Sequence, residues 1–407
     1  MKALQFSVNT ARFIAARAAA ALLGDRVFYS GPLRTVRLAE IPEPDLPSQE
    51  WVKIQTIYCG FCGSDMNLIR LHDSPTASPF TSFPCVMGHE IVGKIVEAGS
   101  DSGEFKPGDL VTINPALACD ARGISPLCPS CQAGRIGSCE NVAEGDLAPG
   151  MFTGINGGVN GGFAPFFVAH KSQLFKVPEG VSPEAAVMTE PFSVALQAVF
   201  DNVPLPEEQV LVIGGGVIGS LVVRSLRVLE KNCHISLIEP SAFASGFAMA
   251  MGGDEVIPLK QVFPQTSRIT GAKVYKPLLG MEVSMGGFHR IYDTVGIAKT
   301  LNLSLRLLKA MGTLSVIGIG GNVKLDLTPL WLKIQNIKGV YSSGMVTFRR
   351  EERAVFDVAL QLMRDGEIEA EKLVTHRFRL EDYRKMIEVN KNKSKYRAVK
   401  TVVSFLE

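Results

Sequence analysis

The sequence predicts an α/β protein in two parts, a parallel doubly wound domain and a β-rich, barrel-like domain. Three observations predict this. The apolar run Val210-Leu211-Val212-Ile213 enters the glycine turn Gly214-Gly215-Gly216-Val217-Ile218-Gly219, the pattern of a strand passing through a dinucleotide-binding turn into a helix. From about residue 192 to 340 apolar strands alternate with helices, which implies a parallel sheet with helical crossovers. From about residue 25 to 175 short β-branched runs are punctuated by Gly and Pro, the texture of many short strands in a barrel.

The elements follow in order. Met1 to Phe6 reads as a first strand, and Thr10 to Leu23 as an amphipathic helix inserted near the start of the first domain. Asn9 or Thr10 supplies its N-cap and Gly24 its stop. The segment carries Arg12 and Arg17 with no acid before Asp25, a weak likeness to a transit peptide. The strand that precedes it favours an inserted helix. Further strands are expected at Trp51 to Ile57, Ile91 to Ala98 and Asp109 to Ile113. The second texture opens with a strand at Gln209 to Ile213, a helix from Val217 to Glu230 and a strand at His234 to Ile238. Strands at Arg290 to Asp293 and Thr313 to Ile317 come later, and the tail adds an amphipathic helix, Glu351 to Arg364, and a last strand, Lys400 to Phe405.

Composition excludes several functions. A net charge of +2 offers no electrostatic case for nucleic acid as a partner. No apolar run approaches the roughly 20 residues that span a bilayer. Eight cysteines in 407 residues are too sparse for a disulfide scaffold, and most fall in metal-like spacings, so a reducing, cytoplasmic compartment is expected. Cys59-Gly60-Phe61-Cys62 is not read as a redox pair, because that motif belongs at a helix start in another context. Cys59, Cys85 and Cys233 read as buried small apolar residues.

Two cysteine-bearing clusters point to metal. Cys62, His89 and Glu90 offer a thiolate, an imidazole and a carboxylate, and three protein ligands with one open position suit catalytic zinc. Cys119, Cys128, Cys131 and Cys139 lie within a short stretch, and four thiolates suit a closed structural zinc. Cys119 is set apart by Asp120 to Leu127; the alternative is a vestigial lobe with free thiols. A zinc ribbon for nucleic acid is disfavoured, since only Arg122 and Arg135 are basic there and no aromatic platform joins them. In the glycine turn, Gly214 permits the tight turn, Gly216 lets backbone approach a pyrophosphate, and Gly219 allows close helix–strand packing. Val217 and Ile218 open the helix whose N-terminus faces the phosphates. Glu239 closes the next strand, where a carboxylate accepts the ribose hydroxyls and repels a 2′-phosphate, so NAD is expected rather than NADP. A Lewis acid and a hydride carrier together imply alcohol oxidation or its reverse.

The motifs Gly60-Phe61-Cys62-Gly63-Ser64-Asp65, Phe83 to Glu90, Gly161-Gly162-Phe163-Ala164 and Thr189-Glu190-Pro191-Phe192-Ser193-Val194-Ala195 resemble those of the zinc-dependent medium-chain alcohol and polyol dehydrogenases over nearly the whole chain. The resemblance implies a GroES-like catalytic domain over 1–191, a Rossmann NAD-binding domain over 192–343, and a return segment, 344–407, completing the first. It implies Cys62, His89 and Glu90 as catalytic zinc ligands, Glu90 moving on and off the metal. Ser64 would hydrogen-bond the substrate oxygen and Asp65 would hold His89. Gly318 and Ile319 would receive the nicotinamide amide. Glu190-Pro191 resembles the sorbitol, threonine and glucose dehydrogenase branch, in which a carboxylate near zinc ligates it or bonds its water, and the resemblance implies a catalytic role for Glu190; a helix-start acid favoured by the macrodipole is the less favoured alternative. Asn67 departs from the pattern: it stands where many members carry a relay His and cannot titrate, leaving water, the cofactor ribose or His72 as proton routes. Asp73 to Phe83 is longer than usual. The family's first three lobe cysteines are evenly spaced, whereas here an insertion intervenes.

The implied reaction transfers hydride between a secondary, polyol-like alcohol and NAD, with two zinc per chain. A primary-alcohol or aldehyde dehydrogenase, and a non-catalytic zinc- and NAD-binding interaction protein, are the alternatives. No membrane partner is expected. A homo-oligomer, dimer or tetramer, is implied through the strand near Ile337-Lys338-Gly339-Val340.

Overall fold

The strand Trp51–Phe61 is the spine of the first part of the chain. Its aromatic and β-branched residues suit a pleated surface, and it pairs antiparallel with Glu90–Ala98, Phe166–His170 and Lys400–Ser404. The expected strand ended at Ile57; the ladder runs on to Phe61 because the C-terminal strand supplies partners, Val402 for Gly60 and Thr401 for Phe61. Register shifts at Lys53/Ile54 and Thr56/Tyr58 bend the strand. Gly60 also pairs with Glu90, so the ladder delivers Cys62, Glu90 and Lys400 to one end of the sheet. The complete sheet has seven strands, continuing to Leu110–Ile113 and Leu174–Lys176 on one side and Val374–Phe378 on the other. Ile54, Phe61, Ile91, Ile95, Val111 and Phe167 fill its core.

In this computed structural model, which describes residues 1–318 and 320–406, the chain divides into two units. The first is Met1–Glu190 with the chain from Ser342 onward, and the second is Pro191–Tyr341. The first unit also holds the small sheet of Val36–Glu40, Lys2–Phe6 and Cys85–Val86. The inserted helix spans Thr10–Leu23, capped by the Asn9 side chain accepting the Arg12 N–H at 2.9 Å and stopped at Gly24 with φ 76°. It is not amphipathic: Ala16 alone is buried while Leu22 is 87% exposed, because alanine on both faces leaves no stripe to bury. The tail departs from expectation too. Glu351–Ala354 is a strand paired with Met345–Phe348, and the helix starts only at Val355. Arg349 and Arg350, both at positive φ, turn the chain back into a hairpin before the helix can begin.

The second unit is a six-stranded parallel sheet ordered Glu255–Val256, His234–Ile238, Gln209–Ile213, Phe288–Asp293, Leu308–Val316, Asn336–Gly339. The order reverses at Gln209–Ile213: the next strand, His234–Ile238, lies on one side of it and the later strand Phe288–Asp293 on the other, and ligands of doubly wound sheets bind beyond the strand ends at such a switch point. Leu211, Ile213, Ile291 and Leu314 pack with Leu301 and Leu305 of the helix Ala298–Leu307. The C-terminal carbonyls of that helix region meet a buried lysine, since Lys333 Nζ donates to the carbonyls of Arg306, Leu308 and Ser284. Burial, then the Arg306 charge, pulls Lys333 down to about 8 from 10.5. Between pH 8 and 10.5 the unfolded chain therefore holds a proton that the folded chain has released, and stability contributed by this group rises with pH across that window. Denaturant unfolding at pH 7.5 and 10 is expected to show a change with pH that is more favourable in the native protein than in Lys333→Met; an identical pH response in both would contradict it.

Candidate functional site

Cys62 follows the spine strand and is the N-cap of the short helix Gly63–Ile69. Its backbone N–H donates to Asp65 Oδ2 at 2.8 Å, which ties the first turn down. Asp65 Oδ1 lies 3.7 Å from His89 Nδ1, and the other ring nitrogen, Nε2, is 3.4 Å from Ser64 Oγ. His89 is further fixed edge-on by Phe152, with ring centroids 5.1 Å apart. The ligand atoms of Cys62, His89 and Glu90 all lie within 4.8 Å of one another. Burial works to lower the His89 pKa, but the Asp65 carboxylate and the Cys62 sulfur outweigh it and hold the imidazole up at about 10. Burial raises Asp65, with His89 acting against it.

Lys400 completes this environment, and no sequence signal pointed to it beyond its place at the head of the last strand. Glu90 and Lys400 are both buried, their carboxylate and ammonium form an ion pair, and Lys400 Nζ also donates to the Phe61 carbonyl at 3.3 Å. Burial opposes the charge on Lys400, but Glu90 raises its pKa above the ordinary value. Lys393, close behind, is pulled down to about 8 by burial and by Lys400. A Cβ on Gly60 would overlap the Glu90 carboxylate and the Lys400 side chain, which explains a glycine in the middle of the ladder. Glu190 lies in the first turn of the helix Thr189–Phe200. It does not join the three-ligand group, although the charges of His89, Glu90, Lys400 and Asp65 all reach it, and burial raises it to about 7. Asn67 falls within the same short helix.

The four lobe cysteines come together despite the insertion. Cys119, Cys128, Cys131 and Cys139 are buried, all free, and their sulfurs lie within 4.8 Å of one another. Backbone N–H groups of Cys128, Glu140 and Asn141 donate to the sulfurs of Cys119, Cys128 and Cys139 at 3.4 Å, and the Asn141 amide donates to Cys119 at 3.3 Å. Donors aimed at sulfur stabilise thiolate. Burial raises Cys128, yet the backbone N–H groups of Glu140 and Cys131, with the Cys131 and Cys119 thiols, bring it down to about 7. Four convergent thiols of this kind fit zinc closed on all sides, and the mixed set at Cys62 fits zinc with a position open.

In the second unit the glycine turn has the shape that a pyrophosphate needs. Gly214 has φ 94°, and a Cβ on Gly219 would run into the Gly214 carbonyl. A Cβ on Gly216 would meet no atom within 4 Å, so the space over the N-terminus of Val217–Leu229 is open where the first N–H groups, Val217 and Ile218 among them, lack helical partners. Glu239 accepts the N–H groups of Gly215 at 2.8 Å and Ser241 at 2.7 Å, which sets its carboxylate beside the turn. Gly318 donates to Asp293 O at 3.1 Å and packs against Val295 and Gly296; Ile319 lies outside the described residues. Asp293, missed in the sequence, shapes this end of the sheet by accepting the N–H groups of Val295 and Gly296 through Oδ1.

Two family profiles match the chain, "Alcohol dehydrogenase GroES-like domain" over residues 48–179 and "Zinc-binding dehydrogenase" over residues 217–362. Together they define the class, a zinc-binding dehydrogenase. Among curated relatives, L-idonate 5-dehydrogenase of Vitis vinifera is 26% identical over 348 residues, 85% of each chain. The (R,R)-butanediol dehydrogenase of Saccharomyces cerevisiae is 27% identical over 84% of this chain and 88% of the relative. The crystal structure of 2R,3R-butanediol dehydrogenase from Bacillus subtilis shares the fold with a TM-score of 0.69, at 23% identity, over 91% of this chain and 96% of that one. The chain belongs to the zinc-dependent medium-chain alcohol and polyol dehydrogenase family.

Proposed function

We propose that this protein is a zinc- and NAD-dependent oxidoreductase that moves hydride between a secondary, polyol-like alcohol and NAD. The observation that carries the reading is the convergence of Cys62, His89 and Glu90 within 4.8 Å at one end of the sheet, in a chain that also builds an open glycine turn with an acid at Glu239. Cys62, His89 and Glu90 would hold the catalytic zinc, and Cys119, Cys128, Cys131 and Cys139 a structural one. Bound zinc supplies a Lewis acid that makes an alcohol acidic near neutrality, and nicotinamide supplies the hydride acceptor.

The chain's own residues do the rest. Ser64 presents a hydroxyl beside His89 that can hold the proton of the substrate alcohol. Asp65 fixes the ring of His89 and the turn that carries Cys62, and Lys400 offsets the charge of Glu90. Glu190 places a further carboxylate in the field of the same groups. Gly214, Gly216, Val217, Ile218 and Gly219 would cradle the pyrophosphate, Glu239 would take the ribose and exclude a 2′-phosphate, and Gly318 with Ile319 would receive the nicotinamide amide. Secondary-alcohol enzymes among the curated relatives support the substrate class. The exposed edge strand Asn336–Gly339, with Ile337 and the nearby Trp331 and Ile334 also exposed, supports a homo-oligomer through that edge. Eight free cysteines fit a cytoplasmic location. Among the described residues no helix is long and apolar enough to cross a membrane.

A panel of secondary alcohols, polyols and primary alcohols assayed with NAD and with NADP, before and after chelation, tests the reading. Turnover is expected with NAD and secondary alcohols and is lost on chelation. Preference for NADP, or turnover indifferent to chelation, would defeat it. In the same assay Glu190→Gln is expected to slow turnover about 10-fold or more; unchanged turnover would return Glu190 to a helix-start role.

A further inference from the structure

We propose that Arg122, within the segment inserted between Cys119 and Cys128, is the internal counter-ion and clamp of the four-cysteine site. The proposal rests on the reading of that lobe as a zinc site. Arg122 is completely buried. Its guanidinium has five N–H donors, and each finds a backbone carbonyl. Nε donates to Leu117 at 2.8 Å, Nη1 to Glu144 at 2.8 Å and Leu147 at 3.2 Å, and Nη2 to Ala148 at 3.3 Å and Gly150 at 2.6 Å. One side chain thus ties the segment leading into Cys119 to the loop that follows Cys139.

None of the five partners is a carboxylate. A buried charge without an opposite charge is costly, so a negative field must reach it from elsewhere. The side chain of Glu144 is exposed, where solvent weakens it. Of the charges that reach Arg122, the sulfurs of Cys139 and Cys119 come ahead of Glu144, and they act against the lowering of the Arg122 pKa by burial. Four thiolates around a divalent zinc carry a net charge of about −2, which one guanidinium halves. The backbone holds Arg122 beside Cys119, since the N–H of Arg122 donates to Cys119 O at 3.0 Å and its carbonyl accepts the N–H of Asp146 at 3.0 Å. The insertion that displaces Cys119 along the chain also carries the cation that its sulfur requires.

The test uses the full chain with Cys62→Ser as background, so that the zinc counted is the lobe's, and follows zinc release to a chromophoric chelator together with zinc content. Arg122→Gln, which removes the charge, is expected to release zinc about 10-fold faster or more, the size of effect typical of outer-shell partners. Arg122→Lys keeps the charge but cannot reach five carbonyls, and is expected to stay close to the background in zinc retention while its thermal midpoint falls. Release from Arg122→Gln at the background rate, or equal release from Gln and Lys variants, overturns the counter-ion role. Should the Gln variant not accumulate, the Lys variant alone decides: rapid zinc loss from it overturns the proposal. A background protein with no lobe zinc instead defeats the zinc reading of the lobe, a different and recognisable failure.

Discussion

Replacing Lys400 by Met is expected to destabilise the metal-free first unit by about 3–5 kcal/mol, the usual result of removing one partner from a buried ion pair. Glu90 and Lys400 are 1% and 3% exposed at their side chains, so water cannot replace the lost ammonium. The carboxylate must then protonate, move, or drag solvent inside, and the Phe61 carbonyl loses its donor as well. Replacing both residues, Lys400→Met with Glu90→Gln, is expected to recover much of the loss, because the penalty comes from an unpaired charge rather than from the missing pair. Urea unfolding of the three chelated proteins measures this; an unchanged midpoint in the single variant would contradict it. Turnover is expected to fall in both variants, since each alters the group beside Cys62 and His89. The double variant thus separates stability, which returns, from activity, which does not.

What could be read in the sequence was local. Asn9 and Gly24 bound the inserted helix, and the strands Gln209–Ile213 and His234–Ile238 lie where apolar runs ended at glycine or an acid. The trio of Cys62, His89 and Glu90 could be read because each sits in its own short motif, and the fold had only to bring two motifs together. Lys400 could not, because its partner is set by the register of the last strand on Trp51–Phe61, which no local pattern encodes. The same register carried that strand past its expected end. Arg122 looked like one of two stray basic residues, since five backbone carbonyls leave no mark in a sequence. Burial was misjudged for the inserted helix, where alanine satisfies helix propensity without choosing a face.

Two glycines of the cofactor turn are expected to respond to the same substitution in opposite ways. Gly219→Ala places a methyl group against the Gly214 carbonyl, and Gly214 cannot yield easily because it already holds φ 94°. The helix Val217–Leu229 must back away from the strand end. Alanine's better helix propensity returns only about 1 kcal/mol, against about 1–3 kcal/mol for overpacking, so the second unit loses stability and the phosphate-facing N–H groups move with the helix. Gly216→Ala meets no atom within 4 Å and is expected to leave stability unchanged. Its methyl group instead occupies the space through which a pyrophosphate would approach, and NAD affinity is expected to fall on the order of 100-fold, about 2.7 kcal/mol. Calorimetric titration with NAD and thermal unfolding separate the two. Zinc content is expected to stay constant in both, because every proposed ligand belongs to the first unit. Tight NAD binding by Gly216→Ala would mean that the open space over the turn serves something other than the cofactor's phosphates.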